Sequence, residues 1–287
     1  MRLHTYVSAA GRPRAARFHL GALRQACRTS ATRTEGVLLI ALALATWLAL
    51  GLPATALPAD YHHFADQRAW LGLPHAMDVL TNLPFAAAGI WGLVWLRRVP
   101  TVRLGLAQRA LAALFLIGLV ATAMCSGAYH LAPDHGGLCI DRLGMGLPFA
   151  GLIGLAVADR VSARAGVVSA VFIGLAAPAA ALWDWASGNM TPWALLQGGG
   201  LVLLAALALR RPRAGALGFS ILAVMAFYAV AKGLELADHP IFTLTQGWLS
   251  GHSAKHPVAA LAAWPVVRAL QRRAGAAARP GAALTIR

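Results

Sequence analysis

Acidic side chains are scarce in this chain: Asp and Glu number 10 among 287 residues, against 25 Lys and Arg. All charged residues together make 12% of the sequence, where an average soluble domain carries about a quarter. That shortage excludes an ordinary water-soluble domain. Three cysteines in so long a chain exclude a disulfide scaffold. A hydrophobic share of 59% excludes intrinsic disorder. No convincing internal repeat is present, and no paired broken helices at mid-membrane, which argues against a secondary transporter. The formal net charge of +15 raises nucleic acid as a partner. The long apolar runs and the placement of the arginines argue against it.

What the chain has in quantity is apolar runs. A hydrocarbon core of about 30 Å needs about 20 mostly apolar residues as a helix. Eight stretches qualify, at about 36–53, 77–96, 106–130, 141–161, 163–184, 191–210, 215–234 and 254–271. The last is the weakest, because it contains Pro257, Pro265, Lys255 and Arg268. The expected fold class is therefore all-α, a polytopic transmembrane helix bundle. Residues 1–35 read as an Arg-rich tail and 274–287 as a second tail, both flexible. The leader resembles a signal peptide in charge, but its length and that of the following run favour an uncleaved first span.

The arginines orient this bundle. With the N-terminus inside and eight alternating spans, 21 of the 25 Lys and Arg fall on the inner side. Only Arg68, Arg142, Lys232 and Lys255 remain outside. This is a strong positive-inside bias, and it puts both termini in the cytoplasm. Eight of the ten acids and eight of the ten histidines fall on the outer face. The positive-inside effect does not require that segregation, so it points to chemistry on the outer face. The Ala- and Arg-rich composition suggests a bacterial inner membrane with the site facing the periplasm.

Three short pieces meet at that face. Cys125-Ser126-Gly127-Ala128-Tyr129-His130 ends the third span, and Ser126 and His130 share one helical face. Asp141-Arg142-Leu143 opens the fourth span. His252-Ser253-Ala254-Lys255-His256 opens the last, again with two residues four apart. Histidines at i and i+4 can bind one metal ion, and His130 would complete a three-histidine set. Zinc in such a set keeps a fourth position open for water and lowers the pKa of that water toward 7. Asp141 can orient or deprotonate the water, and Ser126 can hydrogen-bond an oxyanion. Each part has a plainer role when taken alone: capping for the histidine pair, helix packing for Ser126, dipole complementation for Asp141. Their joint position at one membrane face favours a functional site, with the parts of a metal-dependent amidase or esterase.

In these residues the sequence resembles the alkaline ceramidase family, part of a membrane hydrolase superfamily that includes the progestin and adiponectin receptors. The shared pattern is a Ser-x3-His, a following Asp and a final His-x3-His: here Ser126, His130, Asp141, His252 and His256, in that order. The resemblance spans about 60–272 and implies a seven-helix core, reckoned as a domain over 60–273, with 36–59 as an extra N-terminal transmembrane helix and linker. It implies that His130, His252 and His256 hold Zn2+, that Ser126 and Asp141 are catalytic, and that the partner is a lipid substrate in the membrane. The implied reaction hydrolyses ceramide or a related lipid amide to a fatty acid and a sphingoid base. Such an enzyme would enclose an apolar cavity, open sideways to lipid, with zinc at its outer end and Tyr129 or Asp141 protonating the leaving amine. A zinc-containing receptor of the same superfamily and a hydrolase of another lipid amide or ester are the alternatives.

The match is poorest before the second span. His75 and Asp78 stand where the family pattern aligns Glu and Asn, and Asp60, Asp66 and Asp78 offer oxygens to calcium. His62, His63 and Asp66 offer a second transition-metal site, or else a polar lid over the zinc. Gly144 replaces an expected Pro, a change read as affecting helix entry. Cys27 reads as inert. Cys125 and Cys139 flank the His130 loop where a bridge can persist, although two unpaired packing cysteines are the favoured reading. Trp183, Trp185, Trp193 and Trp248 are placed as an interfacial aromatic belt.

Overall fold

The structure, a computed structural model, describes the backbone of residues 15–275 and the side chains of residues 33–275. Among the described residues the regular structure is helical. In chain order it comprises α1 (Ala15–Gly51), α2 (Ala76–Leu80), α3 (Leu83–Arg98), α4 (Leu106–Leu131), α5 (His135–Arg160), α6 (Ala163–Ser187), α7 (Thr191–Ala208), α8 (Ile221–Leu236), α9 (Asp238–Leu244), α10 (Gly251–Ala260) and α11 (Trp264–Gly275). Short 3₁₀ turns lie at Thr101–Arg103 and Leu261–Ala263. Six segments are long and apolar enough to cross a membrane: Arg33–Gly51, Ala76–Arg98, Leu106–Leu131, His135–Arg160, Ala163–Ser187 and Thr191–Ala208.

That is two fewer than the eight expected. The seventh stretch is helical only as α8, 16 residues long, or about 24 Å at 1.5 Å per residue. The eighth is divided into α10 and α11 by the 3₁₀ turn, with Pro257 inside α10 and Pro265 at the start of α11. Proline lacks the N–H that a continuous helix needs. At the other end of the chain, the backbone of 15–35, expected as a tail, is already helical as part of α1. Ala and Arg, frequent there, are both strong helix formers. The expected flexible ends at 1–14 and 276–287 lie outside the described residues, and Cys27 outside the described side chains.

Helix starts follow local chemistry. Asp134 caps α5 by accepting from the Gly137 amide, Ser162 caps α6 from Ala165, Ser220 caps α8 from Ala223 and Ser250 caps α10 from Ser253. Each side-chain oxygen takes one of the amides that a helix start leaves without an internal partner. α4 and α5 form the most extensive pair. Their axes approach closely because Gly118, Gly144 and Gly151 face the partner helix, where a Cβ would lie 2.3 Å from Pro148 N, 2.6 Å from Cys125 Cβ and 2.3 Å from Phe115 N. Gly144 is thus a packing position within α5, not a helix-entry residue, and its neighbour Cys125 is a free thiol, as is Cys139. The core follows from this stacking, with Leu116, Ala150, Ile153, Leu155, Val266 and Leu270 fully buried. Large apolar side chains remain exposed, among them Ile40, Trp47, Leu175 and Leu222. Such a surface suits lipid contact.

The alternating helices gather the arginine-bearing turns at one end. There Arg109 donates to the carbonyls of Leu96 and Val99, Arg160 to Phe219, Arg272 to Gly218, and Arg103 and Arg273 to one another's backbone. Among the described side chains, the opposite end carries the histidines and most of the acids.

Candidate metal centre

His130 arrives one residue before the end of α4, and His252 and His256 on the first turns of α10. All three imidazoles are buried, at 1%, 5% and 3% exposure. Their ring centroids are 4.8–5.1 Å apart. One potential ligand atom from each lies within 4.8 Å of the others. The Nε2 atoms of His130 and His252 are 3.2 Å apart. Two nitrogens bound to one tetrahedral zinc at about 2.0–2.1 Å would be separated by about 3.4 Å, so this spacing suits a shared cation.

The third imidazole is held in a suitable tautomer. Thr81 Oγ1 donates to the Met77 carbonyl at 2.6 Å, leaving its lone pairs for His256 Nδ1 at 2.9 Å. With that proton on Nδ1, Nε2 of His256 is bare and available to a metal. Thr81 lies at the break between α2 and α3, where Asn82 Nδ2 turns back to the Asp78 carbonyl at 2.8 Å. Ser253, between the two histidines of α10, donates to Asp78 Oδ1 at 2.6 Å.

Ser126 and Asp141 are also brought together. Ser126, one helical turn before His130, is buried and lies close to the Asp141 carboxylate of α5. Two buried polar atoms of this centre have no protein partner, His130 Nδ1 and Asp141 Oδ1. Three neutral nitrogen donors, an adjacent carboxylate and spare hydrogen-bonding capacity fit a borderline-soft divalent cation with a polar ligand of its own. The group can therefore hold a metal ion.

A segment preceding α2 lies against two of the three histidines. Phe64 lies against His252 with ring centroids 4.1 Å apart and against His130 at 4.9 Å. Tyr129 hydroxyl and His62 Nδ1 are hydrogen-bonded at 2.8 Å, so Tyr129 is engaged away from the role of free proton donor. Burial, aided by the nearby His135, pushes the His62 pKa below its ordinary value of 6.5. Burial also opposes charge on Asp66, but hydrogen bonds from Arg68 outweigh it and hold that carboxyl below the usual range.

The residues weighed for calcium and for a second metal are engaged with protein partners or exposed. Among the described residues His130, His252 and His256 are the only metal-competent group that converges. Asp66 is paired with Arg68 at 2.6 Å, Asp78 with Ser253, and Asp60 is exposed. His62 and Phe64 instead form part of a cover, which agrees with the lid expectation. Trp193 also departs from the belt reading. It is buried, with the Arg142 guanidinium 5.2 Å from its ring, and Arg142 pairs with buried Asp184. Trp183, Trp185 and Trp248 are exposed as a belt requires. An apolar cavity of about 400 Å³ lies among α1, α6 and α7, lined by Ala45, Leu50, Phe172, Leu175, Trp183 and Leu196 among others. It shares no lining residue with the histidine centre.

Sequence reasoning gave no site role to Phe64, Thr81 and Asp238, whose contacts with the histidines are made between separate elements; the faint signal for the latter two was a polar residue beside an otherwise apolar span. Comparison with family models, with curated proteins and with solved structures finds no match.

Proposed function

We propose that this chain is an integral-membrane, zinc-dependent hydrolase of a lipid amide, ceramide or a relative of it, of the alkaline ceramidase type that its motifs resemble. The observation that carries the reading is the convergence of His130, His252 and His256 from two distant segments, with Ser126 and Asp141 close to one another one turn from His130. In this reading α8 and the divided α10–α11 complete a seven-helix core, and α1 is an additional helix. The arginine end faces the cytoplasm of a bacterial inner membrane, and the histidine end faces the periplasm.

Zinc held by the three imidazoles would supply Lewis acidity and lower the pKa of a bound water toward 7. The protein's own residues do the rest. Asp141, with Oδ1 free, takes a proton from the attacking water and returns it to the leaving amine nitrogen. Ser126 hydroxyl turns from the carboxylate toward the carbonyl oxygen as negative charge develops there. The products are a fatty acid and a free amine. The phenyl ring of Phe64 keeps bulk water from the imidazoles on the outer side, which favours a substrate delivered from the lipid.

The test is metal analysis of the detergent-purified protein, wild type beside His252→Ala/His256→Ala, followed by turnover of an N-acyl sphingoid base. About one zinc per chain, lost in the double variant together with activity, is the expected result. A wild type that takes up no zinc after supplementation overturns the reading. Zinc without turnover of any lipid amide or ester overturns the hydrolase in favour of a receptor.

A further inference from the structure

The segment covering the histidines and the helix start bearing two of them are tied to a single carboxylate. Asp238, buried at the first residue of α9, accepts from the Ala65 amide through Oδ2 at 2.9 Å and from the His252 amide through Oδ1 at 2.8 Å. The adjacent His239 bonds the His63 carbonyl through Nε2 at 3.1 Å. Phe64 is therefore fixed on both sides of its own backbone, through His63 and Ala65, and its ring lies against His252. Gly251 makes the arrangement possible. A Cβ there would lie 2.2 Å from the Leu234 carbonyl oxygen and 2.8 Å from Asp238 Cα, so only glycine lets α10 start this close to Asp238. Arg68 adds a weaker tie, to the Trp248 carbonyl at 3.3 Å.

We propose that Asp238 is a positioning residue that couples the cover to the metal centre: one oxygen holds the segment carrying Phe64, the other holds the turn carrying His252, and releasing one loosens both. The consequence for metal binding rests on the centre proposed above; the coupling itself rests only on these contacts. A carboxylate is required because it has two acceptor oxygens for two amides, whereas an asparagine side chain has one. Partners of ligating side chains, when removed, typically weaken metal affinity by about 10- to 100-fold.

The experiment uses the full chain in micelles, as wild type, Asp238→Asn and Gly251→Ala. Hydrogen exchange is read by mass spectrometry on peptides covering 60–68 and 248–256, and zinc affinity by competition with a chromophoric chelator. Asp238→Asn is expected to raise exchange in both peptides together and to weaken zinc by about 10- to 100-fold, while the metal-free protein melts as the wild type does. Gly251→Ala, acting from the other side of the contact, is expected to give the same paired signature, and it decides the matter if the asparagine variant does not fold. Faster exchange in one peptide only, or unchanged zinc affinity, would overturn the proposal. If the wild type takes up no zinc, the hydrolase reading falls, and the exchange data still decide the coupling.

Discussion

At the arginine end of the bundle, the buried acid Asp159 is saturated. It pairs with Arg160, accepts from Gln108 Nε2 at 3.3 Å and from the Gly218 amide at 2.9 Å, and its arginine neighbours cap backbone carbonyls. At the histidine end, Asp141 has an oxygen without a partner, as do the buried acids Asp78 and Asp184. Both ends bury ionisable groups at similar depth. At the arginine end Asp159 has both oxygens engaged by protein donors, while at the histidine end carboxylate oxygens stay in reserve beside three convergent imidazoles. A buried polar atom without a partner costs about 1–3 kcal/mol. Among the described residues, unpartnered buried carboxylate oxygens lie at the histidine end alone, and that distinguishes a candidate site from a structural joint.

That contrast can be broken from either side. The largest effect is expected from Asp141→Asn, which should lower turnover by about 100- to 10,000-fold while zinc content stays that of the wild type; parallel loss of zinc would reassign Asp141 to support of the ligands. Asp159→Ala should do the reverse. It strands the Arg160 guanidinium and should destabilise the fold by about 3–5 kcal/mol, seen as a lower denaturation midpoint, with zinc per folded chain unchanged. Thr81→Val is expected to weaken zinc about 10-fold or more, because it removes the acceptor that sets the His256 tautomer; equal affinity would show that Thr81 is only packing.

The smallest effect is one of pH. Burial and His135 depress the His62 pKa, so the cover favours neutral His62. Its stability is complete above the ordinary value of 6.5 and declines as pH falls from there toward the lower folded value. Protection from hydrogen exchange across 60–68, relative to the intrinsic rate at each pH, should therefore fall modestly between pH 7.5 and about 5.5, and His62→Gln should flatten the response. The Asp66–Arg68 tie has the opposite class of group. Its contribution is present above the ordinary carboxyl value of 3.8 and is lost only as pH falls through the lower folded one, so it does not account for a change near neutrality.

The reading of individual residues was uneven for physical reasons. His130, His252 and His256 were legible because a spacing of four on an apolar helix is a local pattern, and the arginine asymmetry is additive along the chain. Gly144 was misread because a glycine's use in close helix approach depends on what lies opposite it, here Cys125. The partners of Asp66 and Asp78 were not legible because Arg68 meets Asp66 in an unforeseen local turn and Ser253 is 175 residues from Asp78.

Composition and periodicity by themselves determined that the chain is helical, apolar enough for a membrane, and polarised into an arginine end and a histidine end. Those properties depend on nearest neighbours and on sums over segments. Only the tertiary structure decided that α8 is short, that the last stretch is divided at 261–263, that Thr81 orients His256, and that Asp238 joins the cover to the helix carrying His252. Each of these depends on a meeting of residues far apart in the chain, where close packing admits one arrangement and local sequence pattern carries no record of it.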